Sequence, residues 1–165
     1  MTSAERQKLI RQYAAGPAKI KAALAQVPAE ALQWRPGPGK WSVHEIVIHC
    51  ADSEVQAHTR IRTLLADADP IIHAYDQDRW AVELDYHRRP LAPALATIEA
   101  VRANTVALLE SLTDQQWART GRHTESGPYS AEKWVTVYAI HLDRERHEGQ
   151  ILRNLEAWRK ASGKA

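Results

Sequence analysis

Apolar residues in this chain recur every three to four positions over four long stretches, the spacing of helices that each bury one face. No stretch alternates with the period of two that a half-buried strand needs, and no internal repeat is evident. The first helix is expected from about Ala4 to Gln26, with a kink or break at Gly16-Pro17 because proline cannot donate to the helical ladder. A loop follows at Trp34-Arg35-Pro36-Gly37-Pro38-Gly39-Lys40. Ser42, with Glu45 three residues on, predicts a capping box opening the second helix. Its apolar stripe is Val43, Ile46, Val47, Cys50, Ala57, Ile61, Leu64 and Leu65, with His49 at the edge and Glu54 near the centre.

A short helix is predicted near Asp76 to Leu84, and a third long one from Leu91 carries Leu95, Ile98, Val101, Thr105, Leu108, Leu109 and Leu112. After a loop from Gly121 to Pro128, a single last helix is expected from Ser130 toward Ala161. Its core-facing stripe reads Val137, Ile140, Ile151, Leu155 and Trp158, with His147 inside it and Asp143 at its border. These elements make an all-α protein, most simply a four-helix bundle, in which sites are built from side chains on facing helices.

Composition narrows the picture without changing it. With 165 residues the chain suits one domain, residues 1–165, with one good core. The 22 basic and 20 acidic side chains are interspersed and leave a formal net charge of +2, which is no nucleic-acid footprint. The N-terminus lacks the apolar core of a signal peptide, no run is long enough to cross a bilayer, and the single cysteine suits a reducing compartment. A cytoplasmic location is the expectation.

The candidate chemistry is a metal site assembled from two distant stretches. Residues four apart on a helix differ by about 40°, so Asp143 and His147 face the same way and can share an ion, whereas His141, six residues from His147, stands about 120° away. With His49 from the second helix, they form a mixed nitrogen and oxygen set that suits Zn, Ni, Mn or Fe(II) and leaves positions open. Taken singly, each residue has a plainer reading: a hydrogen-bonded buried histidine, a solvated polar pair, and for Glu54 an ion pair with an arginine. Cys50 reads as a buried structural thiol. His123 and Glu125 can serve as a general acid or base at a cleft mouth, or as turn residues around Gly127-Pro128. No serine triad, phosphate-cradling loop or cysteine nucleophile motif competes.

Five ordered segments carry a resemblance: Trp41-Ser42-Val43-His44-Glu45 through His49 to Glu54, Tyr75-Asp76-Gln77-Asp78-Arg79-Trp80, Leu112 to Trp117, His123 to Pro128, and His147-Glu148-Gly149-Gln150-Ile151. From about Trp34 to Leu155 the chain resembles the DinB-like superfamily, and within it the YfiT-like branch of metal-dependent hydrolases and bacillithiol transferases. The resemblance implies a four-helix bundle, often dimeric, holding Ni or Zn through three histidines. His49 and His147 match two of them. At the third place this chain has Asp143, while His141 keeps the family's distance from Tyr138 but stands two residues too far from His147. Either Asp143 replaces the histidine, or the helix is locally rewound, or the site has lost affinity; the metal set expected here is His49, Asp143 and His147. The implied function is a metal-dependent hydrolase or thiol S-transferase acting on a small molecule, with a low-molecular-weight thiol as one partner and a homodimer as the assembly. The alternative is a non-catalytic helical dimer or stress-associated binding protein with no metal or a structural one.

Overall fold

In a computed structural model, which describes residues 1–164, the long helices are α1 (Ser3–Leu24), α2 (Val43–Ala66), α4 (Leu91–Glu110), and a fourth column made of two pieces, α6 (Ala131–His141) and α7 (His147–Ser162). Two short helices, α3 (Gln77–Glu83) and α5 (Asp114–Trp117), lie in the connections. The bundle forms as α2 packs on α4, α1 on α4 and α6, and α7 on α1 and α2.

Local chemistry explains where most of these helices begin. Ser42 accepts from the Glu45 N–H while the Glu45 carboxylate accepts from the Ser42 N–H at 2.8 Å, the reciprocal capping box expected of α2. Thr2 caps α1 with Glu5 in the same way. The N-terminal half of α2 is buried on every side, Val43 through Ala51 without a break, so it runs through the middle of the molecule.

The Gly16-Pro17 pair does not break α1. Proline lacks the N–H that would bond the Tyr13 carbonyl one turn back, and Arg102 of α4 supplies the missing donor through Nη1. Gly16 makes this approach feasible, since a Cβ there would lie 2.2 Å from Arg102 Nη1. The same guanidinium donates through Nη2 to Glu54 Oε1 at 2.6 Å and to the Tyr138 carbonyl at 3.2 Å. Glu54 and Arg102 are fully buried, and the Tyr13 hydroxyl donates to the other Glu54 oxygen at 2.9 Å. The ion pair expected for Glu54 is therefore present and ties α1, α2, α4 and α6 together.

Two further expectations fail. The last helix is not continuous: residues 142–146 form a tight turn, with Asp143 N–H bonded to the Ile140 carbonyl and Arg146 N–H to the Asp143 carbonyl. Gly149 permits the turn, because a Cβ there would meet the Arg144 carbonyl oxygen at 1.9 Å. With the helix broken, Val137 leaves the core stripe and is 44% exposed. There is also a small sheet where none was expected: β1 (Ile71–Ile72) runs parallel to β2 (Thr120–His123), which pairs antiparallel with β3 (Gly127–Ser130). Its turn uses Gly127 in the left-handed region at φ +70°.

Candidate metal centre

The break brings a different histidine into place. One ring nitrogen from each of His49, His141 and His147 lies within 4.8 Å of the other two. The His141 and His147 rings stand edge to face with centroids 4.6 Å apart, and their Nε2 atoms are 3.3 Å apart. His49 completes the triangle with ring centroids 4.9 Å from His147 and 5.8 Å from His141. The Trp41 ring packs against His49 with centroids 4.7 Å apart and the planes tilted by 47°.

Asp143 does not join them. It is buried against α1, where one carboxylate oxygen pairs with Lys19 Nζ and the other accepts from Gln12 Nε2. The i, i+4 relation to His147 presumes one helix through both, and the turn at 142–146 removes that condition. The same turn cancels the 120° that a continuous helix would put between His141 and His147. Of the three expected ligands, the structure thus unites His49 and His147 and replaces Asp143 with His141. The signal for His141 was its place three residues after Tyr138.

Outer partners orient the rings. The Nδ1 of His147 lies 3.1 Å from Gln150 Oε1, and that of His141 faces Glu54 Oε1 at 3.8 Å, just beyond hydrogen-bond length. With a proton on each Nδ1, both Nε2 atoms turn lone pairs toward each other. Burial, followed by the neighbouring His147 and His141, depresses the His49 imidazole to about 2; burial, followed by His141, depresses His147 to about 3. The Nε2 of His141 also lies 3.4 Å from Ser53 Oγ. Burial pushes the Glu54 carboxyl up, but Arg102 and His141 outweigh it and hold it below the usual range as a carboxylate. Buried His49 Nδ1 has no hydrogen-bond partner.

These features fit a divalent cation. Two nitrogens each 2.0–2.1 Å from one tetrahedral ion stand about 3.3 Å apart, the separation found between His141 and His147. A carboxylate and an amide oxygen behind the ligand imidazoles are the usual means of fixing tautomer and orientation. The protein is thus a helical bundle with a three-histidine cluster at the break of its fourth column.

His141 and His147 line a cleft of about 520 Å³ together with Gln77, Thr136, Val137, Ile140, Glu145, Arg146, Gln150 and Arg153. A larger cleft of about 620 Å³ involves Trp41, Glu45 and Arg35, and none of the three histidines lines it. His123 and Glu125 border a third cleft with Arg60 and Tyr75. There the His123 Nδ1 accepts the N–H groups of Glu125 and Ser126 at 3.2 and 3.3 Å, which is a turn-stabilising role. Cys50 is buried, as expected.

Residues 12–151 match the DinB superfamily, and the chain belongs to it. A relative from Oceanobacillus iheyensis, named "Putative metal-dependent hydrolase", is 32% identical over 125 residues, or 76% of this chain and 72% of the relative. YfiT of Bacillus subtilis bears the same description and is 30% identical over 122 residues, 74% of this chain and 68% of its own length. The solved YfiT structure, described as having an unusual four-helix bundle topology, superimposes with a TM-score of 0.83 at 24% identity, covering 100% of this chain and 91% of that one. No helix among the described residues is long and apolar enough to cross a membrane.

Proposed function

We propose that His49, His141 and His147 hold one divalent cation, zinc or nickel in preference to manganese or iron, and that the protein is a metal-dependent hydrolase or thiol S-transferase for a small molecule. The observation that carries this reading is the three-histidine triangle, with two Nε2 atoms 3.3 Å apart and Gln150 and Glu54 behind those two rings. An ion held by three imidazoles supplies Lewis acidity that brings the pKa of a water or a thiol toward neutrality. The protein's part is orientation: Gln150 holds the His147 ring, Glu54 faces the Nδ1 of His141, and Trp41 backs His49. Two of the ligands border an open cleft, which favours a reactive site over a closed structural one. The relatives' names support the hydrolase side; S-transfer rests on the resemblance to bacillithiol transferases.

Elemental analysis after loading with Zn or Ni tests the site. About one ion per chain is expected, lost on substitution of His49, His141 or His147 by alanine and retained in Asp143→Ala. A parent that holds no ion after loading sinks the reading. Metal loss in His49→Ala with the fold intact marks an open reactive site, whereas collapse of the fold marks a structural ion. Chromogenic ester and amide hydrolysis, set beside thiol addition to an electrophile, then separates the two activities.

A further inference from the structure

The cleft beside His141 and His147 carries two arginines, Arg146 and Arg153. Among the described residues five arginines pair with carboxylates: Arg6 with Asp114 and Glu132, Arg35 with Glu45, Arg88 with Asp85, Arg89 with Asp52, and Arg102 with Glu54. Among the described residues, Arg146 and Arg153 pair with none. Arg146 directly precedes the ligand His147. Arg153 folds back along α7 so that Nη1 comes within 3.0 Å of the position a Gly149 Cβ would take. Two like charges thus lie along the first turns of the helix that begins with a ligand.

The helix adds to the same sign. No side chain caps α7, so the free N–H groups and positive dipole end of its first turn border the cleft as well, while Glu148 of that turn stays outside the cleft lining. Glu145 is on the rim and exposed, and it closes no ion pair with either arginine. The remaining wall is mixed, with Val137 and Ile140 as its apolar part beside Thr136, Gln77 and Gln150. Guanidinium groups present a rigid fork that matches carboxylate and phosphate oxygens, a geometry that water fills without such specificity.

We propose that the substrate of this cleft is a small organic anion, a carboxylate or phosphate on an apolar body, whose charged group is gripped by Arg146 and Arg153 while its reacting bond faces His141 and His147. The chemistry at the reacting bond rests on the metal reading above; recognition of the charge does not.

Calorimetric titration of the metal-loaded protein with benzoate, phenyl phosphate and neutral benzamide provides the test, repeated on R146Q, R153Q and the double variant with metal content measured for each. The expected result is at least tenfold tighter binding of one anion than of benzamide, reduced severalfold in each single variant and abolished in the double. The anion that binds better identifies carboxylate or phosphate as the group recognised. Equal binding of charged and neutral probes overturns the proposal. So does a preference that survives in the double variant and disappears when the metal is removed, because the anion is then coordinated by the ion. If the parent takes up no metal, the same titration of the metal-free protein decides: an arginine-dependent preference keeps the anion site while the metal reading fails.

Discussion

His49 and the pair His141 and His147 reach the same cluster by opposite means. His49 sits in the middle of an uninterrupted helix whose start is set by a reciprocal Ser42–Glu45 cap. His141 ends one helix and His147 begins the next, and their approach depends on the turn between them. Local sequence determines the first arrangement; contacts from elsewhere in the chain determine the second. Asp143 anchors the turn to α1 through Lys19 and Gln12, and Gly149 clears space for the Arg144 carbonyl. A cluster residue on a regular element is legible from spacing, and one beside a break is not.

The strongest way to break this comparison is to move the histidine. In a His141→Ala background, Asp143→His would restore metal binding if α6 and α7 were one helix. With the turn in place, no rescue is expected, and metal affinity should stay at least a hundredfold below the parent by competition with a chromogenic chelator. Rescue would mean that the fourth column straightens.

Arg102→Met should have the next largest effect, because it strands the Glu54 carboxylate and the Tyr13 carbonyl in the core. Breaking one side of a buried pair costs about 3–5 kcal/mol, to be measured by urea unfolding. A loss under 1 kcal/mol would show that water or another donor already serves Glu54. Gly149→Ala should cost roughly 2–3 kcal/mol, since the new methyl group would strike backbone and not a flexible side chain. It should also lower metal occupancy, whereas Ser42→Ala at the regular end of α2 should cost about 1 kcal/mol and leave occupancy intact.

The last effect needs no substitution and accumulates gradually with pH. In metal-free protein the folded pKa values of His49 and His147, about 2 and about 3, lie below the unfolded value. The unfolded chain therefore binds more protons as pH falls, and stability should drop from about pH 6.5 toward pH 3 by roughly 1.4 kcal/mol per pH unit for each histidine. His147→Gln should flatten the slope by about half. A metal-free protein whose urea midpoint does not move between pH 6.5 and 5 would contradict the burial of neutral imidazoles.

Most of the bundle was legible because it follows local rules. The apolar period, the Ser42 cap and the loop at Trp34 to Lys40 place α1, α2 and α4 close to their observed bounds, and Glu54 in an apolar stripe announced its arginine. The sheet was not legible: Thr120–His123 and Gly127–Ser130 are four residues each, too short to show a period, and are held by pairing with each other and, for Thr120–His123, with Ile71–Ile72. The fourth column misled in a more instructive way. Residues 142–146 contain neither glycine nor proline, so nothing in their own propensities stops a helix. The stop comes from Asp143 preferring Lys19 and Gln12 to solvent, which only the packed α1 can offer. The family's distance between Tyr138 and His141 was the one cue that pointed to the histidine found in the cluster.

The Trp41 ring lies 4.7 Å from that of His49, centroid to centroid, and is the one tryptophan whose ring contacts a histidine of the cluster among the described residues. Its indole is therefore an optical gauge built into the site. A paramagnetic ion such as Ni(II) or Co(II) arriving at the three imidazoles would quench its emission, while closed-shell Zn(II) would leave most of that light, so filling of the site can be timed and the kind of ion distinguished without any attached label.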